Sequence, residues 1–351
     1  MGEERPPRLL VVGCGAIGGV IAGYLLELGQ DVSLLTTNPT IARALRDHGV
    51  RVRGDEAPSV GIPSAVYEAL DTSVRPFDYV LLATQPPQVE AAATSALPWL
   101  AQGGRMVCFQ NGLCEERVGK IAGPERVLGA VVAWGASMLE PGVYDRTSAG
   151  GFSVGKLDGS VDAELEGLTR ILEAVGPVSI TKNLRGARWS KLAINCAIST
   201  LGTIGGDRLG VLMRQRHVRR LALDVMSEVV DVARQEDVRL EKVSGTLDLD
   251  WIRLTDGERA ASGSPGLLAK HTLLLAVGAR YRRLRSSMLA AIERGRAPAV
   301  DFLNGEVIER GEKHGISTPV NQAARDAVWA IARGEAKASH ETLRALYERT
   351  R

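Results

Sequence analysis

Lys191, Asn195 and Ser199 recur every four residues in the segment Arg188-Trp189-Ser190-Lys191-Leu192-Ala193-Ile194-Asn195-Cys196-Ala197-Ile198-Ser199. On a helix that spacing places an ammonium, a carboxamide and a hydroxyl on one face. The neighbours Leu192, Ile194, Ala197 and Ile198 are apolar, so the polar row runs beside a packed core and must find partners or line a cavity. Only 8 of the 43 basic residues are lysine. Where a fixed positive charge suffices, this chain writes arginine. A lysine at 191 is better explained by a compact ammonium that can release a proton, which a guanidinium cannot do at working pH. The bland alternative is a surface lysine that lays its stem along apolar atoms and keeps its charge in water.

A second chemical element lies near the N-terminus. The apolar run Leu9-Leu10-Val11-Val12 ends abruptly in Gly13-Cys14-Gly15-Ala16-Ile17-Gly18, and helical periodicity follows from Val20 to Leu28. In a strand–turn–helix of this kind Gly13 permits the tight turn, Gly15 lets the backbone approach a pyrophosphate, and Gly18 allows the helix to pack closely on the sheet. The helix opens at Ala16 and Ile17, where backbone N–H groups and the positive end of the helix dipole can hold the anion. The end of the next strand distinguishes the cofactors, because a carboxylate there would accept from a ribose hydroxyl and repel a 2′-phosphate. Thr36-Thr37-Asn38 contains none, and the Thr37 hydroxyl with Arg43 could take the phosphate. NADP(H) is therefore expected over NAD(H). The competing reading makes these turn and cap residues, with Arg43 solvated.

The elements that must position these groups alternate through the first half. Strands are expected at Asp31 to Leu35, Tyr79 to Ala83, Arg105 to Phe109 and Val127 to Trp134, with a helix at Pro39 to Asp47, which predicts a parallel sheet with helices on both faces. After Val178-Ser179-Ile180 the texture becomes helical, with amphipathic stretches at Ala187 to Ser199, Val218 to Gln235, Ser287 to Glu293, Ala299 to His314 and Asn321 to Arg333. The expected fold is thus α/β, a Rossmann-type doubly wound sheet over 1–183 followed by an all-α domain over 184–351 that carries the Lys191 row. Ala261 to Gly266 reads as an interhelical loop.

Composition narrows the partners. The chain has 351 residues, 45% hydrophobic and 24% charged, enough for a full-sized core. With 43 basic and 41 acidic residues the net charge is +2, which supplies no broad footprint for nucleic acid or an anionic membrane. A small-molecule partner is the better expectation. Four scattered cysteines, Cys14, Cys108, Cys114 and Cys196, do not suit a disulfide scaffold or a metal site, and only Met1 to Arg8 precede the first strand, too few for a signal peptide. No apolar run reaches membrane-spanning length, so a cytoplasmic location is expected.

The order of motifs carries a resemblance. The GxGAxG turn, Phe109-Gln110-Asn111-Gly112, Pro141-Gly142, the Arg188 to Asn195 run, Ser286-Ser287-Met288-Leu289, Asp301-Phe302-Leu303-Asn304-Gly305 and Gly315-Ile316-Ser317-Thr318-Pro319 together resemble the ketopantoate reductases (2-dehydropantoate 2-reductases) over nearly the whole chain. The resemblance implies a Rossmann domain, a helical C-terminal domain, and NADPH-dependent reduction of a 2-keto acid to a 2-hydroxy acid, the chemistry of pantothenate biosynthesis. It also implies roles: Lys191 as general acid, Asn111 beside cofactor and substrate, and Asn195 and Ser287 orienting the substrate by hydrogen bonds. Taken as residues alone, Asn111 could be a turn asparagine in a left-handed conformation and Ser287 a helix N-cap. A homodimer through the helical domain is also expected.

Departures from that family pattern bear on cofactor and substrate. Gln85 stands where the family usually has a lysine on the cofactor side, Ser199 where it commonly has asparagine, Thr37 where a basic residue is usual, and Ala299 where an acid binds the hydroxyl of a pantoate-type substrate. Without that acid the chain is expected to prefer a substrate other than ketopantoate, with Arg280, Arg282, Arg283 and Arg285 as substitute anion contacts. Two rival readings remain open here: a non-catalytic dinucleotide-binding sensor or scaffold, and a related dehydrogenase for an opine-type or sugar-acid substrate.

Overall fold

The computed structural model describes residues 5–53, 59–242, 247–260 and 263–351. Internal contacts divide the chain into two units, Met1–Gln110 with Cys114–Leu184, and Asn111–Leu113 with Arg185–Arg351. The first unit holds the strands β1 (Arg8–Val12), β2 (Asp31–Leu35), β3 (Val50–Arg53), β4 (Ser59–Gly61), β5 (Ala65–Tyr67), β6 (Phe77–Leu82), β7 (Leu100–Cys108), β8 (Val127–Val132), β9 (Ala136–Glu140), β10 (Val143–Arg146), β11 (Phe152–Gly155) and β12 (Val178–Ile180). Its helices are α1 (Ala16–Glu27), α2 (Pro39–His48), α3 (Val89–Ala96), α4 (Cys114–Ala122) and α5 (Ala163–Leu172).

Eight strands form the main sheet in the order β12-β11-β8-β7-β6-β1-β2-β5. The run Leu9-Leu10-Val11 is fully buried because both faces are covered, which is why these strands read as continuous apolar segments. Leu9 and Val11 pack with α1 and α5 on one side, while Leu10, Val80, Leu82 and Met106 pack with α3 and α4 on the other. Two features correct the sequence expectation. β11 runs antiparallel to β8, so the sheet is mixed. A second, four-stranded sheet, β4-β3-β10-β9, pairs Val143–Asp145 with Arg51–Arg53. That pairing joins segments about ninety residues apart, each short and charged, and no local periodicity announces it.

The second sheet explains the composition of α1. Most of this helix is buried, and a Cβ at Gly19 would stand 2.2 Å from the Tyr144 ring, one at Gly23 2.2 Å from Val52. Tyr144 is fully buried, and its hydroxyl donates to the carbonyl of Cys14 at 2.9 Å, pinning the turn that precedes α1.

The second unit is helical. Its long members are α6 (Leu184–Gly205, from Arg185 onward in this unit) and α8 (Arg216–Gln235), joined by α7 (Leu209–Leu212) and followed by α9 (Leu249–Ile252), α10 (Asp256–Ala260), α11 (Pro265–Arg280), α12 (Ser287–Ile292), α13 (Asn304–Lys313), α14 (Pro319–Ala332) and α15 (His340–Arg349). Trp189, Leu192, Ala193, Cys196, Ala197 and Leu201 of α6 meet Val218, Leu221, Val225 and Val229 of α8 in one core.

The stretch expected as one helix from Ala299 to His314 is broken. A 3₁₀ turn over Ala299–Phe302 ends at Leu303 (φ −117°, ψ −95°) before α13 starts. Of the expected loop Ala261 to Gly266, Pro265 and Gly266 open α11 behind the cap Ser264, and Ala261 and Ser262 lie outside the described residues. Helix α11 escaped detection because its leucines lie all round it: Leu267 and Leu274 are buried, whereas Leu268 and Leu275 are exposed. All four cysteines are buried, and none forms a disulfide. No described helix is long and apolar enough to cross a membrane.

Candidate functional site

The glycine turn is built as an anion cradle. Gly13 takes φ +96°, a conformation that disfavours any side chain, and its N–H is committed to the carbonyl of Leu35 at 2.9 Å. A Cβ at Gly18 would stand 2.1 Å from the carbonyl oxygen of Gly13, so only glycine closes the turn onto the helix. Gly15 differs: it is extended, caps α1 without any side-chain hydrogen bond, and a Cβ built on it would meet nothing within 4 Å. Open space thus lies before the first amides of α1, at Ala16 and Ile17, where no acidic residue offsets the dipole. These features fit a dinucleotide pyrophosphate. Cys14 in the same turn does no thiolate chemistry, because burial pushes its thiol up to about 12.

Around this cradle, Thr36 is buried at the end of β2, whereas Thr37 and Arg43 are exposed. The Asn38 side chain caps α2, accepting from the amides of Thr40 and Ile41 at 3.0 and 3.1 Å, so its oxygen is already used. A Cβ at Gly13 would stand 2.8 Å from the amide nitrogen of Thr84, which sets the turn against the end of β6. Gln85, the next residue, is exposed ahead of the 3₁₀ turn Pro86–Gln88.

In the helical unit, Lys191, Asn195 and Ser199 are all half-buried on one face of α6, while Leu192, Ala193, Cys196 and Ala197 between them are fully buried. The amide nitrogen Nδ2 of Asn195 is buried and has no hydrogen-bond partner. Such a group costs free energy until a ligand or water satisfies it, which makes this face a candidate for binding a polar molecule. Ser199 is placed by its backbone: its carbonyl accepts from the Thr203 hydroxyl at 2.8 Å and the Ser286 hydroxyl at 2.9 Å, and those two hydroxyls lie 2.8 Å apart. Ser286 also caps α12 by accepting from the amide of Leu289. The cap alternative for Ser287 is thereby corrected to Ser286; Ser287 follows it, exposed, at the first helical position.

Asn111 is exposed and sits with the helical unit, because Leu113, two residues on, is buried in the helical core and the backbone of Gly112 lies against the carbonyl of Phe302. The left-handed residue here is Gly112, at φ +91°. Among the described residues the only non-glycine with positive φ is Asp237, so Asn111 is not left-handed and the turn-asparagine explanation does not hold. Ala299 is half-buried at the start of its 3₁₀ turn, and the carboxylate of Asp301 is engaged by Trp329 Nε1 at 3.1 Å. Arg280, Arg282, Arg283 and Arg285 are all exposed.

Sequence reasoning missed the buried polar chain behind the α6 row. The Thr200 hydroxyl donates to Asn304 Oδ1 at 2.6 Å; Asn304 Nδ2 donates to Asn321 Oδ1 at 2.9 Å; Asn321 Nδ2 donates to Glu228 Oε2 at 2.8 Å. The Glu228 carboxylate also accepts from the amides of Val320 and Asn321 at 2.9 Å each. Thr200, Asn304 and Asn321 are fully buried. Burial raises the Glu228 pKa despite these donors. The available signal was two asparagines inside apolar helical stretches.

Sequence profiles of the family described as ketopantoate reductase PanE/ApbA match residues 9–159, and its C-terminal counterpart matches residues 183–332. The chain is 28% identical over 320 residues to a 2-dehydropantoate 2-reductase from Vibrio cholerae, covering 90% of this chain and 95% of that one. It superposes with a TM-score of 0.77 at 26% identity on the crystal structure of a PanE/ApbA family ketopantoate reductase from Ralstonia eutropha JMP134, over 93% of this chain and 99% of that chain. It shares the fold of a D-mandelate dehydrogenase solved with NADH and anilino(oxo)acetate, with TM-score 0.79 at 17% identity over 93% and 98% of the two chains. This protein is a ketopantoate reductase-like oxidoreductase and belongs to the ketopantoate reductase PanE/ApbA family.

Proposed function

We propose that the protein reduces a 2-keto acid to the 2-hydroxy acid with NADPH, Lys191 acting as general acid. The carrying observation is the half-buried row on α6, in which a lysine ammonium lies one turn from the unpartnered amide of Asn195. When bound, the reduced nicotinamide supplies a hydride to the carbonyl carbon. The ammonium of Lys191 donates a hydrogen bond to the substrate oxygen, stabilises the negative charge that grows there, and transfers its proton as the C=O π pair moves onto oxygen. Lysine then regains a proton from solvent. Asn195 Nδ2 and the hydroxyls of Ser199 and Ser287 hold the carboxylate end, and Asn111 orients the carbonyl. D-mandelate dehydrogenase, which shares the fold, was solved with NADH and anilino(oxo)acetate, so the fold holds a nicotinamide dinucleotide in that protein.

The cofactor reading has its own test. A Cβ at Gly15 would meet nothing within 4 Å, so Gly15→Ala is expected to leave Tm nearly unchanged and to raise the dinucleotide Kd at least ~30-fold, the roughly 2 kcal/mol of charge-assisted backbone hydrogen bonds it blocks. Dinucleotide fluorescence titration with a melting curve measures both. Preference for NADPH over NADH rests on Thr37 and Arg43, and Arg43→Ala is expected to lower it about tenfold in kcat/KM.

With Ala299 in place of a hydroxyl-binding acid, the substrate is proposed to be a keto acid other than ketopantoate. Steady-state comparison of ketopantoate with 2-keto acids bearing apolar side chains checks this; selective turnover of ketopantoate overturns it. Gln85 and Ala299 favour the second reading, a dinucleotide-binding sensor, and absence of NADPH oxidation across such a screen would establish it. A homodimer through the helical unit is proposed on the exposed Leu268 and Leu275 of α11; light scattering of the wild type against a Leu268→Glu, Leu275→Glu double variant reads it.

A further inference from the structure

We propose that the helical unit carries a second ligand site, a cavity of about 560 Å³ walled by α8, α10, α11 and α15, that binds a dianionic phosphate group. No residue of the α6 row lines it, so the site is independent of the reductase reading.

Charge is the first argument. Guanidiniums of Arg216, Arg220, Arg259, Arg344 and Arg351 line the cavity, with Glu348 as the lining carboxylate. Two further carboxylates stand behind them: Asp224, 3.2 Å from Arg220 and 2.7 Å from Arg351, and Asp231, 2.6 Å from Arg259. The wall is net positive, since Asp231 also pairs with Arg253 and Arg219 adds its charge beside His271, which suits an anionic phosphate group. The surplus is preorganised. Arg220 is only 6% exposed, and its guanidinium is fixed by Asp224 and by the carbonyls of Glu258 and Arg259 at 3.1 and 2.9 Å.

Unsatisfied nitrogen is the second argument. His271 is 7% exposed and lines the cavity, and its Nδ1 is buried without a hydrogen-bond partner; Nε2 of His217, on the opposite helix α8, is buried in the same condition. Both imidazoles line the cavity and each keeps one ring nitrogen buried without a partner, a hydrogen-bonding capacity that the protein itself does not use. Burial, then the charges of Arg219, Arg216 and Arg220, press the His271 pKa down to about 4, which registers the positive potential a dianion would meet. Neutral His271 donates to the ligand in the tautomer that carries its hydrogen on Nδ1.

Size is the third. The volume falls in the range of small-molecule sites and exceeds what a single phosphate fills. The Tyr347 ring and Leu267 supply apolar wall for an organic remainder. The phosphate group could arrive free or as an ester, and two probes separate these sources.

The test is isothermal titration of the full-length protein with inorganic phosphate and with phenyl phosphate, each against chloride at matched ionic strength. Saturable one-to-one binding is expected, tighter for phenyl phosphate if the group arrives as an ester and equal for the two if it arrives free. Arg344→Gln, an exposed substitution, and His271→Gln are each expected to weaken it about tenfold. Arg344→Gln alone decides the matter should His271→Gln fail to fold. Absence of saturable binding for both probes, or binding undiminished in the variants, overturns the site.

Discussion

Lys191→Ala is expected to lower kcat by roughly two or more powers of ten, about 3 kcal/mol or more of lost transition-state stabilisation. The loss should fall on the chemical step. Dinucleotide Kd should hold, because the glycine cradle belongs to the other unit, and Tm should shift little, because the core side of α6 is built by Trp189, Leu192, Ala193 and Cys196. Lys191→Arg is expected to stay nearly as impaired: a guanidinium keeps the charge but does not release the proton. Partial rescue of Lys191→Ala by an added alkylamine would separate lost proton transfer from lost packing. An alanine variant with wild-type kcat removes Lys191 from the mechanism.

Asn321→Ala is expected to destabilise the fold by about 3–4 kcal/mol, lowering Tm by roughly 6–16 °C. Asn321 is fully buried, accepts from Asn304, and donates from its side chain to Glu228 and to the carbonyl of Val225. Truncation leaves Asn304 short of an acceptor and the Glu228 carboxylate short of a donor, and it opens a small cavity in a buried core. The carboxylate matters most, since burial already works against its charged form. Thermal melts of this variant beside Thr37→Ala, an exposed control, measure the difference. A loss below about 1 kcal/mol would show that the chain of buried polar groups is not structural.

The parts legible in the sequence were those whose causes are local. Strand β1, its glycine turn and α1 could be read because Leu9 to Val12 are buried on both sides and because the turn needs glycine at fixed offsets. The Lys191–Asn195–Ser199 row could be read because helical geometry follows from spacing alone. Everything that depends on distant segments meeting stayed hidden. The second sheet pairs β3 with β10, the cap that steadies Ser199 is Ser286 from another helix, and Asn304 faces inward only because the chain breaks at Leu303.

The sequence by itself thus determined the strand–turn–helix, the helical second half and the order of motifs that marks the family, since periodicity and turn chemistry act within a few residues. Only the tertiary structure decided which polar groups are satisfied: that Asn195 is left with an open amide, that Thr200, Asn304, Asn321 and Glu228 close on one another, and that arginines from α8, α10 and α15 line one cavity with His271. Satisfaction of a buried group depends on what the rest of the chain brings within 3 Å of it, and the spacing of residues along one segment carries no record of that.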